Sequence, residues 1–296
     1  MNKQINIIVT GASGFIGTQV VNNLLKENYR VFALTRKKSQ PYEHSNLIWT
    51  SWSDYLKDIT PDLKIFSVVN LSTTYGHNNE TLKEIINSNV TLPLGLFEHA
   101  VSLGAKKIIN ADSFFGKKEF NYQHLRGYIQ SKDDLVKLTN QIIQDRKVAF
   151  INLRLEHVFG ANDGPDKFVT RLIKDFHCKN KNIQLTDGKQ KRDFIYIEDV
   201  VNAFNCVLKH DFLPGYKEFE VGTGKSQELK IFCLALAKVF NVPYDTLNFG
   251  SLDHRPNEIM DSSANNIDLK SIGWAPVWSL NSAMSDLAKK QRWLEN

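Results

Sequence analysis

Short, nearly continuous apolar runs punctuate the first half of the chain: Ile5–Val9, Val31–Leu34, Ile65–Leu71, Lys107–Ala111 and Val148–Leu153. Runs of this kind predict strands buried on both faces, and so a parallel sheet. Between them, Glu84–Leu103 and Tyr128–Ile143 carry helical periodicity and predict long helices. Strands alternating with helices predict right-handed crossovers and a doubly wound α/β fold. After about Phe159 the pattern changes. Gly160–Lys167 has loop chemistry, and Phe168–Phe176 predicts a short helix. Asn182–Leu185 and Asp193–Ile197 read as short strands, Ile231–Phe240 and Leu280–Trp293 as helices. The division predicted is a Rossmann-like dinucleotide-binding domain over 1–158, with 194–222 crossing back to it. Residues 159–193 and 223–296 form a smaller mixed substrate lobe, with the substrate cleft between the two.

The turn between the first strand and the first helix is Gly11–Gly17, GASGFIG. Gly11 permits the tight turn, Gly14 lets a pyrophosphate approach the backbone, and Gly17 lets helix and strand pack closely. The helix then presents free N–H groups and a partial positive charge to phosphate. Strand, glycine turn and helix in that order predict a dinucleotide site. An acid about 20 residues on would hold the ribose of NAD. Here Arg36, Lys37 and Lys38 follow the second strand. Cations there suit a 2′-phosphate, so NADP(H) is expected ahead of NAD(H).

Composition narrows the class. The chain has 296 residues, 42% of them hydrophobic, with a formal charge of +5. Its basic residues are spread out, which suits small anionic ligands better than nucleic acid. Cys178, Cys206 and Cys233 are isolated, so neither a disulfide frame nor a metal site is implied. No leader-like or membrane-length apolar segment stands out. A cytoplasmic enzyme is expected, bound to neither membrane nor nucleic acid.

Tyr128 and Lys132 lie four residues apart in a helical stretch and share a face. A nearby ammonium favours the phenolate, so the tyrosine is expected to titrate closer to working pH and exchange a proton with a substrate oxygen. Lys132 is also placed to hold the nicotinamide ribose.

With these motifs the chain resembles the extended short-chain dehydrogenase/reductase family of nucleotide-sugar enzymes over almost its whole length. The matching pieces are Thr10–Gly17, Asn70-Leu71-Ser72-Thr73, Ser88-Asn89-Val90, Tyr128-x-x-x-Lys132 and Arg154-x-x-His157-Val158-Phe159-Gly160. Lys191–Val200, Gly222-Thr223-Gly224, Arg255-x-x-Glu258 and Ile272-Gly273-Trp274-x-Pro276 follow. Within the family, Asn70–Gly76, Ala111–Gly116 and the Arg192-Asp193-Phe194 wording look most like the 4-ketoreductases that finish CDP-3,6-dideoxyhexoses, the abequose and paratose synthases.

The resemblance implies roles. Gly11, Ser13, Gly14, Phe15, Ile16 and Gly17 would hold the dinucleotide, joined by Arg36, Leu71, Ser72, Thr73, Asn89 and Lys132. Val158–Phe168, including Lys167 and Phe168, would bound the sugar nucleotide, and Arg192 and Arg255 would meet its phosphates. Asp112 is placed at the substrate, with a structural role facing away as the alternative. Asp193, Asp199 and His157 read as structural, and the five tryptophans as packing residues. A homodimer through the two long helices is implied. The reaction implied is NADPH-dependent reduction of a 4-keto group on a nucleotide-linked deoxysugar. A 4-epimerase and a non-catalytic dinucleotide sensor are the alternatives. A dehydratase is disfavoured because Asp112 is followed by Ser113 rather than by an acid. Relatives carry Ser or Thr where this chain has Ala111. Ser113, two residues on and on the same strand face, is expected to replace that hydroxyl in part.

Overall fold

The computed structural model describes residues 4–36, 42–77, 79–120 and 122–291. The strands, in chain order, are β1 (Asn6–Thr10), β2 (Arg30–Thr35), β3 (Leu47–Ser51), β4 (Ile65–Asn70), β5 (Lys107–Ser113), β6 (Ala149–Leu155) and β7 (His157–Phe159). They continue with β8 (Ile183–Leu185), β9 (Lys191–Arg192), β10 (Phe194–Tyr196), β11 (Gly215–Val221), β12 (Gln227–Glu228) and β13 (Leu247–Phe249). Among the described residues the main sheet has seven strands, ordered β11-β6-β5-β4-β1-β2-β3. β1 pairs in parallel with both β2 and β4, β2 with β3 and β4 with β5, the order of a doubly wound sheet.

The chain divides into two units. The first comprises Met1–Arg154, Val201–Phe219 and Ser271–Trp274. Its core joins sheet residues Ile8, Phe32, Val68, Ile108 and Phe150 to Leu96, Phe97 and Leu135 from the helices. Burying each such side chain stabilises the unit by about 1.5–3 kcal/mol. Helix α1 (Phe15–Lys26) buries Val20, Val21, Leu24 and Leu25. Helix α2 is one turn, Tyr55–Asp58.

The helix expected over Glu84–Leu103 is a composite: α3 (Leu82–Ile86), a π-helical turn (Asn87–Thr91) and α4 (Leu92–Ser102). Thr81 and Glu84 form a capping box that starts it. Pro93 has no N–H for the carbonyl of Asn89 four residues back, and the ladder widens there. Helix α5 (Arg126–Ile143) follows β5.

The second unit comprises Leu155–Val200, Glu220–Lys270 and Ala275–Asn296. It holds the parallel pair β7–β10, the antiparallel pair β9–β12 and the parallel pair β8–β13. Helix α6 is Phe168–His177. Helix α7 (Ile197–Lys209) starts directly after β10 in this unit, and from Val201 on its residues belong to the first. Helices α8 (Leu229–Val239), α9 (Ile267–Ser271) and α10 (Leu280–Lys290) complete the set. Phe194 stacks on Phe232 with 3.7 Å between ring centroids, and Phe159 meets both rings edge-on.

β3, α7 and β11 have no counterpart in the apolar-run pattern. Trp49, Thr50 and Ser51 break the run in β3, and Gly215–Val221 alternates charged and apolar residues. Among the described residues no helix is long and apolar enough to cross a membrane.

Candidate active site

The glycine turn is shaped by contacts that a side chain would forbid. Gly11 has φ +62°, and a Cβ there would stand 2.8 Å from the Leu71 carbonyl and the Ser72 nitrogen. A Cβ on Gly17 would fall 2.0 Å from the Gly11 oxygen. Gly14 caps α1 with no side-chain hydrogen bond, and the first turn, which holds Phe15 and Ile16, carries no acid. The orphan N–H groups and helix dipole are therefore left for an anion. Ser13 and Thr35 hydroxyls meet at 2.8 Å, tying the turn to the end of β2. Arg36 is exposed just beyond it, and Lys37 and Lys38 lie outside the described residues. The backbone N–H groups of Leu71 and Ser72 donate to Thr10 Oγ1, at 3.1 and 3.2 Å, and fasten the loop after β4.

That loop leads to Tyr128. Thr73 Oγ1 and Thr74 Oγ1 are buried with no partner at hydrogen-bonding distance. Asn89, in the π turn, accepts from Thr74 N at 2.7 Å and donates to Thr74 O and to Ser131 Oγ, each at 2.9 Å. Ser131 in turn donates to the Tyr128 carbonyl. The widened turn thus aims one amide at both the loop and α5. Forbidden Cβ positions, an uncapped helix start and orphaned hydroxyls together fit a dinucleotide held by Gly11–Gly17 and Leu71–Thr73.

Tyr128 and Lys132 are both 4% exposed. The ammonium donates to the Ala111 carbonyl at 2.9 Å and sits 5.9 Å from the Tyr128 ring centre. Burial pushes Lys132 down to about 8, and Asp112 pulls it partly back. Tyr128 departs from the sequence expectation. Burial, then Tyr75 and Asp112, push it well above its ordinary 10, against smaller pulls from the Ser113 and Thr73 hydroxyls. Lys132 is spent on a carbonyl, and desolvation of the phenolate dominates. The phenol is protonated at neutral pH. Ser113 also takes the Phe115 N–H at 3.4 Å, which fixes its hydroxyl at the end of β5.

Asp112 points elsewhere. Its carboxylate takes the Ser113 N–H at 2.7 Å and the Asn152 amide at 2.8 Å, and lies 3.5 Å from Arg154. Tyr75 enters the sequence reading only inside the Asn70–Gly76 motif, with no role of its own, although its ring lies 4.8 Å from that of Tyr128. Asn70 likewise has no role there, and Asn110 and Asn152 escape it, although a lone amide in an otherwise apolar strand is itself a signal.

The remaining candidates belong to the second unit. Lys167 is the residue before α6, and Phe168 opens it. Arg192 is buried, donates to the Lys191 carbonyl at 2.8 Å and pairs with Glu258. Arg255 is exposed. His157 packs edge-on against Phe194. Asp193 accepts from Thr223 N, Thr223 Oγ1, Gly224 N and Ala264 N, while Asp199 accepts from Val277 N and Trp278 N. A cavity of about 570 Å³ in this unit is lined by Tyr196, Lys225, Gln227 and Trp278 among others, and none of the four candidates forms its wall. Trp293 lies outside the described residues.

Residues 7–222 match the model of the NAD dependent epimerase/dehydratase family. The chain belongs to that family. It is thereby an extended short-chain dehydrogenase/reductase, an enzyme class built around NAD(P). Similar family members include the CDP-abequose synthase of Salmonella typhimurium (strain LT2), 37% identical over 291 residues, covering 96% of this chain and 97% of the relative. The CDP-abequose synthase of Salmonella muenchen is 38% identical over 289 residues, with 97% of each chain covered. Among solved structures, the UDP-glucose 4-epimerase of Thermotoga maritima with UDP-glucose has a TM-score of 0.84 at 20% identity, covering 99% of this chain and 100% of its own. MoeE5 in complex with UDP-glucuronic acid and NAD has a TM-score of 0.81 at 23% identity, covering 98% and 99%. These two share the fold.

Proposed function

We propose that this chain reduces the 4-keto group of a CDP-linked 4-keto-3,6-dideoxyhexose with NADPH, in the making of a surface-polysaccharide sugar. The observation that carries the proposal is the buried Tyr128 hydroxyl beside the Ser113 hydroxyl at the end of β5, with the Lys132 ammonium 5.9 Å from its ring centre. A reduction needs a proton donor at the oxygen that becomes an alkoxide, and a phenol is one. The sugar class rests on the names of the two Salmonella relatives.

A bound nicotinamide supplies the hydride. Gly11–Gly17 and Leu71–Thr73 would hold the dinucleotide, with Lys132 at its nicotinamide ribose and Arg36 at the 2′-phosphate. Ser113 donates a hydrogen bond to the carbonyl oxygen, and Tyr128 passes its proton to that oxygen as charge builds there. The phenolate left behind sits near the Lys132 ammonium and regains a proton from solvent. Lys167, Phe168, Arg192 and Arg255 are proposed for the sugar nucleotide, with Arg192 exchanging Glu258 for phosphate. We also take a homodimer as the working form, since Leu82 and Ile86 on α3 stand 60% and 41% exposed. Light scattering that finds a monomer at micromolar concentration would overturn that.

Incubation with NADPH and a set of CDP- and dTDP-4-keto sugars, followed at the nicotinamide absorbance band, tests the function. The CDP-4-keto-3,6-dideoxyhexose should be consumed fastest with matching NADPH oxidation. Interconversion of 4-epimers without net oxidation would replace the reductase by an epimerase. Dinucleotide binding without turnover of any sugar would make the chain a sensor.

A further inference from the structure

A single file of hydrogen bonds crosses the buried middle of the main sheet. Thr10 donates to Asn70 at 2.6 Å, Asn70 to Asn110 at 2.8 Å, and Asn110 to Asn152 at 2.8 Å. Asn152 ends the row by donating to Asp112 at 2.8 Å and to Glu218 at 2.9 Å. Strand register sets Thr10, Asn70 and Asn110 side by side. The three asparagines are 0% exposed. Asparagine is depleted in strands, and apolar residues of similar shape would fill such positions at equal or better stability. The amides all run the same way. Carboxylates only accept, so they fix the NH₂ end of Asn152 toward themselves, and each earlier amide follows.

The two ends of the row matter. At one end Thr10 Oγ1 receives the N–H groups of Leu71 and Ser72, the loop assigned to the dinucleotide. At the other, Asp112 receives the Ser113 N–H, next to the Ala111 carbonyl that holds Lys132. We propose that Asn70, Asn110 and Asn152 are positioning residues: the amide row fixes the Asp112 carboxylate, and through it the tip of β5 that presents Ser113 and the Ala111 carbonyl to Tyr128 and Lys132.

Charges around Asp112 make Asn152 the node. Arg154 on β6 lies 3.5 Å from Asp112 and 3.1 Å from Glu218. Glu218 and Tyr216 come from β11, and Tyr216 donates to Glu218 at 2.6 Å. From α5 come Lys132, Asp133 and Tyr128, each of which feels the Asp112 charge. Two carboxylates thus share one amide and one guanidinium. Without the amide both carboxylates turn to Arg154, the Asp112 carboxylate is no longer held in place, and Lys132 loses part of the anionic field that offsets its burial.

The proposal rests on the reductase reading only for its turnover readout; a second readout needs no substrate. Lys132 stands near 8 in the fold against its ordinary 10.5. The folded state therefore sheds that proton first, and stability contributed by Lys132 rises with pH through that window. Lys107, also near 8, titrates in the same window, so each variant is read as a shift from wild type, and Ser67→Ala, which touches the Lys107 carbonyl, reports any change that comes from Lys107. Asn152→Leu, Asn110→Ala and Asp112→Asn are compared with wild type and with Ser67→Ala. Ser67 is a buried hydroxyl outside the row that donates to the Lys107 carbonyl at 3.0 Å. Melting temperature is followed across pH without ligand, and kcat across the same range. All three row variants should move both the onset of alkaline stabilisation and the alkaline fall in kcat to lower pH, by about one unit for Asn152→Leu and Asp112→Asn. Ser67→Ala should lower the melting temperature and leave both pH positions unchanged. If Asn152→Leu does not fold, Asn110→Ala decides, since it leaves the direct partners of Asp112 in place. A shifted melting onset without turnover of any sugar would support the row while removing the reductase. Folded row variants whose pH positions match Ser67→Ala would overturn the proposal.

Discussion

Both units bury polar side chains, yet they bond them differently. In the sheet unit, Asn70, Asn110, Asn152 and Asp112 bond chiefly to one another, strand to strand, and the row ends beside Tyr128. In the second unit, Asp193 and Asp199 bond mainly to backbone N–H groups of distant loops, holding 222–224, 264 and 277–278 in place. A side-chain row can transmit the orientation of one group to the next. A carboxylate hub fixes loops and transmits nothing further. The contrast predicts that damage in the first unit shows in the chemistry and damage in the second shows in stability.

The sharpest test is Tyr128→Phe. It removes the proton donor and leaves both polar arrangements intact. The rate constant kcat should fall by roughly 10³ or more, while stability changes by about 1 kcal/mol or less. Stopped assays with the keto sugar and a thermal melt read both; unchanged turnover would remove Tyr128 from the mechanism.

Asp193→Ala is the mirror experiment. It strips one acceptor from four donors, three of them backbone N–H groups, and should cost about 3 kcal/mol. Thermal unfolding should shift accordingly, and kcat per folded molecule should stay near wild type. A large loss of kcat at full folding would blur the contrast between the units.

How much of this was legible in the sequence follows the same division. The glycine turn, the buried strands and the Tyr128–Lys132 spacing are local patterns, and each can be read from neighbours in the chain. The second unit is built from two- and three-residue strands whose pairing comes from distant segments, as Arg192 with Gln227 or Ile183 with Leu247. No local periodicity encodes such pairs. The amide row is hidden for the same reason, since Asn70, Asn110 and Asn152 stand 40 and 42 residues apart. The tyrosine pKa went the other way from expectation because spacing reveals that a lysine is near, and not that the phenol is buried beside Tyr75 and Asp112.

A smaller effect is expected at the rim of the first unit. Arg36 is exposed at the end of β2 and belongs to neither polar arrangement. Arg36→Ala should reduce the preference for NADPH over NADH by about tenfold at low salt, and by less as salt screens the pair. Values of KM for both dinucleotides, measured at two ionic strengths, check this. A wild-type enzyme that prefers NADH would reject the assignment.

The smallest effect expected is a gain. Ala111 offers no hydroxyl, and its carbonyl already holds Lys132. Ser113 lies two residues along β5 on the same face, with its oxygen fixed by the Phe115 N–H. One donor to the developing alkoxide is therefore present. Removing one such donor typically costs on the order of 10²–10³ in kcat, so Ser113→Ala should approach that range. A second donor added by Ala111→Thr shares the same oxygen, and its benefit should be about two- to fivefold in kcat, with KM for the sugar unchanged. The two substitutions combined discriminate between a native and an auxiliary role for Ser113. If Ala111→Thr restores most of the activity lost in Ser113→Ala, the two hydroxyls reach the same oxygen and the β5 tip tolerates either. If it restores none, the amide row and Asp112 hold the tip so that only position 113 faces Tyr128.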